Sequence, residues 1–382
     1  MNEVAIIGLG MTAVTEHWDS SLRELAAQAI QLALEDAGQP KPSALWVANA
    51  YGSTINGQAH LAPLIASAAD LRGVEGFRIE AAEASGGAAL RAGYLAIASG
   101  LMDCVVVCGV EKQSDLTHED RLAAKSVSLD ADFEATHGAT LSVLAALVMR
   151  AYCETYDIQA TDFEGFSLHA HRRSQYNPLA MFRNPLRPGS SSKAPQIATP
   201  ISMLDMAPPG DGAAAVVLSS LKTGATNARP PVMIRGSAVA TDTLALAERP
   251  EPTRLEAIAR STNNALAAAS MSQEDIDLFE LHDAFSIFAA LSLEAAGFVG
   301  MGEGGRKARE YGEGVGQPEI SCAGGLKARG DVGGATGIYQ IAEACQQLRG
   351  EAADLQLPHI RNAMVQNIGG LAATAVTHIL QI

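Results

Sequence analysis

Apolar runs and helix-spaced apolar positions alternate from the start of the chain: VAIIGLG at 4–10, SLRELAAQAIQLALEDAG at 21–38, then ALWVANAYG at 44–52. The alternation predicts an α/β fold in which helices pack against sheets. Ser20 or Ser21 followed by Glu24 has the form of a capping box, and Gly38 is placed to end that helix. The order helix, turn, strand returns in STNNALAAASMSQEDIDLFELHDAF at 261–285. A glycine pair opens a small-residue helix twice, in GGAALRAGYLAIASG at 86–100 and GGATGIYQIAEACQQLRG at 333–350. DGAAAVVLSS at 211–220 and NIGGLAATAVTHIL at 367–380 form a weaker third pair. One such match between Ala/Gly-rich segments is cheap by chance; three in the same order point to a duplicated α/β unit. The break TNARPP at 226–231 divides the chain into a first half, 1–225, with a loop region at about 118–204, and a second half, 226–382.

Gly8-Leu9-Gly10 after the first strand has the spacing of a dinucleotide fingerprint. The next helix opens only near Ser20, so a phosphate there would meet no helix N-terminus, and the stretch reads as a turn. A different segment stands out by charge. From 165 to 204 there is no Asp or Glu, while Arg172, Arg173, Arg183, Arg187 and Lys193 are basic. Its proline- and serine-rich text reads largely as loop. Either it is a solvated surface loop or it is a landing site for a small phosphorylated ligand. His169 and His171 lie in it and read as solvated loop histidines rather than metal ligands.

Composition narrows the classes. Hydrophobic residues make up 48% and aromatic residues only 5%, which suits a globule packed from small side chains. A net charge of −15 argues against nucleic acid and anionic membrane surfaces as partners. No apolar run reaches the roughly 18 residues a membrane span needs, and the N-terminal run lacks the basic flank of a secretory signal. Five scattered cysteines, 104, 108, 153, 322 and 345, fit a reduced, cytoplasmic setting. Cys104 and Cys108 share one face of an expected strand and read as packing thiols. No metal-binding spacing and no P-loop occur.

Four stretches taken together, EAAEASGGAALRAGYLAIASG, ELHDAF, GGLKARGDVGGATG and NIGGLAATAVTHIL, resemble the thiolase superfamily, and the similarity extends over the whole chain. The forms it resembles are archaeal-type acetyl-CoA acetyltransferases and sterol-carrier-type thiolases. The resemblance implies a five-layer αβαβα fold of two similar halves and coenzyme A as substrate or ligand, with no permanently bound cofactor. It also implies a homodimer or higher oligomer formed through FRIEAAE, and admits a small zinc-ribbon/OB-fold partner protein. It carries the acyl-CoA reading of the basic segment to Arg172, Arg173, Arg183 and Lys193.

The catalytic positions depart from the family pattern. Where the first motif carries a cysteine that takes the acyl group, this chain has Glu83; where the third carries a histidine, it has Asp331, with Val332 in place of proline. The HDAF histidine is present as His282. Glu83 and Asp331 each precede a glycine pair, so packing of the halves about a pseudo-twofold axis brings them together near His282. Two such carboxylates repel, which raises one pKa, and the pair suits general acid–base work. Acids at helix starts also serve as caps, worth about 0.5–2 kcal/mol each. Three readings stay open. The protein acts on the C–C bond of a CoA thioester without a cysteine acyl-enzyme, by aldol, retro-aldol or decarboxylative chemistry. In that case Glu83 or Asp331 moves the proton, while His282 and backbone N–H groups near Gly370 hold the enolate oxygen. Alternatively it is a silent acyl-CoA-binding or complex-forming homologue, or Glu83 is itself acylated. Overall similarity alone implies an acetyl-CoA acetyltransferase.

Overall fold

The computed structural model of the chain describes residues 2–221 and 229–382; residues 226–228 of the expected break between halves lie outside them. Its strands are β1 (Val4–Met11), β2 (Ala44–Ala48), β3 (Glu75–Ile79), β4 (Cys104–Glu111), β5 (Gln196–Ala198), β6 (Ile201–Ser202), β7 (Gly212–Ser220), β8 (Val232–Thr241), β9 (Leu278–Glu280), β10 (Glu319–Ile320), β11 (Asn362–Gly369) and β12 (Thr374–Gln381). Apart from the small β5–β6 hairpin, they hydrogen-bond in the order β10-β9-β11-β12-β8-β1-β7-β4-β2-β3. Read outward from the β1–β8 seam, the two arms are the same. Each runs through its first, fifth, fourth, second and third strand, antiparallel for the first three and parallel for the rest. Among the described residues, strand pairing joins the arms where Ala5 faces Met233 and Ile6 faces Val232. This is the duplicated unit that the sequence pairs anticipate.

The helices are α1 (Leu22–Asp36), α2 (Gly52–Ile55), α3 (Leu61–Ala68), α4 (Ser85–Ala98), α5 (His118–Lys125), α6 (Leu141–Tyr156), α7 (Glu164–Ser174), α8 (Glu256–Ala269), α9 (Ser286–Ala295), α10 (Gly304–Glu313) and α11 (Thr336–Arg349). α1 starts on the predicted capping box, with Ser21 and Glu24 satisfying each other's backbone N–H. α1 and α3 cover the outer face of the first arm, and α8 and α9 that of the second. α4 and α11 fill the space between the arms, in a core shared by Leu90, Val107, Ile338 and Val365. Five layers result. The central helices cross at glycines: a Cβ on Gly86 would stand 2.8 Å from the Cα of Gly337, so neither tolerates a side chain.

Two local expectations are corrected. Gly8 and Gly10 lie inside β1 and form no turn; a Cβ on either would meet the Ala33 or Ala29 carbonyl of α1 at 2.2 or 2.1 Å. The pair is there to let the helix lie close on the strand. Second, the basic segment begins as α7, and His169 and His171 are buried on it rather than solvated. Arg172 reaches the Tyr311 and Gly312 carbonyls at the end of α10, at 2.7 and 2.9 Å, which satisfies groups a helix C-terminus leaves open. Polar residues here face another helix end, which periodicity does not show. Among the described residues no helix is long and apolar enough to cross a membrane.

Candidate active site

The duplication places equivalent chain positions around one pocket. The segment after β2 supplies Tyr51 and that after β9 supplies His282; the turns before α4 and α11 bring Glu83 and Asp331. The ends of β4 and β11 bring Glu111 and Gly370. Parallel strands in both arms end toward this region, where α/β sheets place their ligands.

Glu83 is directed by a tight turn in which Ala82 takes a φ of 50°. Its carboxylate does not cap α4: the turn's Ala81 N–H goes to the Ser85 hydroxyl at 2.9 Å instead. One Glu83 oxygen accepts from the Tyr51 hydroxyl and the other from the Gly370 N–H at 2.8 Å. Gly370 therefore spends its donor on the Glu83 side chain. Burial, then the charge of Glu83, pushes the Tyr51 phenol well above its ordinary range, so the hydroxyl is the donor in this pair. Asp331 does not cap α11 either; its Oδ1 folds onto its own turn, accepting from the Gly333 N–H at 2.9 Å and the Thr336 hydroxyl at 3.1 Å. Its Oδ2 lies 3.4 Å from the Lys125 ammonium.

His282 has a fixed tautomer. The Gly87 N–H donates to Oδ1 of Asn367 at 3.0 Å, which orients the amide so that its Nδ2 donates to His282 Nδ1 at 3.0 Å. The remaining proton sits on Nε2, on an imidazole that lines the pocket. Burial holds His282 down to about 4, against the pull of Asp331 and Glu83, so it is neutral at physiological pH. The expected rise of an acid through repulsion does not occur at Asp331. Burial would raise it, but Lys125, then His282 and the Gly333 N–H, outweigh burial and hold it below the ordinary carboxylate range. Lys125 responds in kind: burial lowers it, and Asp331 and Glu83 more than restore it.

Beneath the pocket, Glu111 ties the two halves together. It accepts from the backbone N–H groups of Ala50, Tyr51 and Gly334 at 2.9, 3.0 and 2.9 Å and from the Asn49 amide at 2.8 Å. One buried carboxylate thus sets both the Tyr51 backbone and the turn after Asp331. Burial pushes it up to about 7.

The pocket encloses about 780 Å³ including its open mouth, and its apolar walls come from Leu122, Leu141, Met206 and Phe285. None of the five cysteines is among its lining residues. Cys104, Cys108, Cys322 and Cys345 are buried, and burial pushes their thiols up, to about 11 for Cys104 and about 12 for Cys345. Such thiols are inert at neutral pH.

Of the residues singled out in the sequence, Glu83, His282, Asp331 and Gly370 come together. The four basic ones do not. Arg172 is held at α10, and Arg173 donates to the Cys322 carbonyl at 2.9 Å and to the Leu355 carbonyl. Arg183 and Lys193 are exposed and do not line the pocket. Sequence reasoning passed over Tyr51, Glu111 and Lys125. Tyr51 follows the end of β2 and Glu111 closes β4, which was a usable signal; Lys125, on α5 between the repeated elements, offered none.

Residues 4–196 match the thiolase N-terminal domain and residues 238–382 the thiolase C-terminal domain-like family. An acetyl-CoA acetyltransferase of Methanothermobacter thermautotrophicus is 38% identical over 99% of both chains. Bovine sterol carrier protein 2 is 29% identical over 98% of this chain and 72% of its own. Among solved structures, the Ltp2-ChsH2(DUF35) aldolase superposes with a TM-score of 0.85 at 21% identity, covering 100% of this chain and 98% of that one. With both domains matched in order on a duplicated fold whose loops converge on one pocket as described, the chain belongs to the thiolase family.

Proposed function

We propose that the protein makes or breaks the C–C bond next to the thioester of an acyl-CoA, by aldol or retro-aldol chemistry, without an acyl-enzyme. The observation that carries this reading is Glu83. A carboxylate, held by Tyr51 and Gly370, stands at the pocket where acyl capture would need a thiolate. Cleavage of a β-ketoacyl thioester needs a nucleophile to accept the acyl fragment. Cleavage of a β-hydroxyacyl thioester needs only a base for the hydroxyl and a donor for the enolate oxygen, and Glu83 and the His282 Nε2–H supply these. The name of the archaeal relative favours acetyl transfer. That would route the acetyl group through a mixed anhydride on Glu83. The similarly folded Ltp2-ChsH2 protein is an aldolase, which agrees with the C–C reading. The nucleotide end of the ligand is assigned to the exposed Arg183 and Lys193.

Intact-protein mass spectrometry after incubation with acetyl-CoA is expected to show no stable adduct. Glu83→Ala is expected to fold and to lose at least about a hundredfold in retro-aldol rate, the scale of a general base. An adduct on Glu83 would replace this reading with the anhydride route. Full activity of Glu83→Ala would remove Glu83 from catalysis, and a wild-type protein that binds acyl-CoA but turns nothing over would establish the silent homologue.

A further inference from the structure

Lys125 belongs to no motif and lies in the loop region of the first half, outside the repeated elements, yet its side chain lines the pocket and is only 15% exposed. An ammonium carries three N–H donors. Among the described residues its hydrogen-bond partner is Asp331, at 3.4 Å; the face of Tyr51 lies 5.2 Å from the ammonium, measured to the ring centroid, and the charges of Glu83 and Glu111 act on it without a hydrogen bond. Donors are left for whatever fills the cavity. The Gly370 N–H, by contrast, is committed to Glu83. Near its carboxylates the pocket therefore offers uncommitted donors, among them the His282 Nε2–H and the Lys125 ammonium. A β-hydroxyacyl thioester presents two oxygens in need of donors, that of the thioester and that on the β-carbon.

We infer that Lys125 is a catalytic residue that binds the β-oxygen of the substrate, leaving the thioester oxygen to His282; this rests on the C–C reading above. In the cleavage direction the β-hydroxyl proton passes to the Glu83 carboxylate and the O–H electron pair becomes the C=O bond. The Cα–Cβ bond breaks and its electron pair forms the enolate, whose oxygen is held by His282. Lys125 keeps its proton and hydrogen-bonds the β-oxygen throughout, lowering the pKa of the hydroxyl at the start. Cα then takes the proton back from the Glu83 carboxylic acid, which resets the site. In the synthetic direction the same ammonium polarises the incoming ketone or aldehyde. The substrate class is thus a β-hydroxyacyl-CoA that releases a carbonyl compound, and Lys125 selects for the β-oxygen.

The test compares two reactions of one protein: cleavage of 3-hydroxy-3-methylbutanoyl-CoA to acetone and acetyl-CoA, and exchange of the acetyl-CoA α-protons in D2O. Exchange uses the base and His282 but offers no β-oxygen. Lys125→Met is expected to lose about a hundredfold in cleavage, and at least tenfold more of its cleavage rate than of its exchange rate. Lys125→Met/Asp331→Asn, which removes the charge pair without leaving a lone carboxylate, is expected not to restore cleavage. Parallel loss of both reactions, or recovery in the double variant, would overturn the assignment. So would a wild-type protein that exchanges but does not cleave. A wild-type protein that does neither would overturn the C–C reading itself, and this inference with it.

Discussion

Glu83 keeps a carboxylate in a pocket with 5% of its surface exposed, and two donors make that possible. Tyr51→Phe removes one of them with little change in shape. Leaving a buried acceptor without its donor costs about 1–3 kcal/mol, so the thermal midpoint is expected to fall by a few degrees, and kcat by about ten- to a hundredfold as Glu83 loses the bond that positions it; steady-state kinetics beside calorimetry checks both. His282 is the other residue whose state the surroundings impose. Burial holds its imidazole down to about 4 from an ordinary 6.5. A group depressed in this way contributes stability that is present above the unfolded value and lost as pH falls through the folded one. Nitrogen-15 NMR of the histidine side chains is expected to show a neutral imidazole, protonated on Nε2, at pH 7, charging only as the pH falls to about 4. A His282 that titrates near 6.5 would contradict the buried, Asn367-oriented geometry.

At the scale of elements, the placement of the groups proposed to act in catalysis depends on how α4 and α11 cross. A Cβ on Gly337 would stand 2.2 Å from Oδ1 of Asn367 and 2.7 Å from the Gly87 nitrogen. Those atoms are the two ends of the hydrogen bond that orients the Asn367 amide toward His282. Gly337→Ala is therefore expected to cost about 1–3 kcal/mol through overpacking. Activity should fall further than the loss of folded protein explains, because the His282 tautomer is disturbed as well. Chemical denaturation and kinetics on the folded fraction separate the two effects. Wild-type stability would mean that the helices slide apart without cost.

Over the whole molecule, charge opposes the proposed ligand. A net charge of −15 repels a nucleotide bearing several phosphates, and the acid-free stretch at 165–204 reverses that field locally. The fold narrows which of its cations can serve. Arg172 and Arg173 are bound to backbone carbonyls, whereas Arg183 and Lys193 are exposed, and the turn carrying Lys193 packs against residues 203–205, just before Met206 at the pocket. Arg183→Glu/Lys193→Glu is expected to weaken coenzyme A binding at least tenfold at low ionic strength and less at high, since exposed charges are screened. Calorimetry at two salt concentrations measures it, and equal affinity of the double variant and wild type would move the nucleotide site elsewhere.

Much of this was legible in the chain itself. The strand–helix alternation, the Ser21 capping box, the repeat of glycine-opened helices and the acids preceding each pair are local features, set by periodicity and by which residue types a helix start or close crossing admits. From these follow the two halves; the choice of Glu83, Asp331 and His282 as the residues that meet came from the resemblance to the thiolase superfamily in the stretches around them. Tertiary structure alone decided what the groups do once they meet. Whether Glu83 caps its own helix or turns to Tyr51 and Gly370, whether Asp331 is raised by a second acid or lowered by Lys125, and whether Arg172 faces a ligand or the end of α10 depend on neighbours far away in sequence. Electrostatics and desolvation act through space between groups 32 to 287 residues apart, and no local pattern encodes that distance.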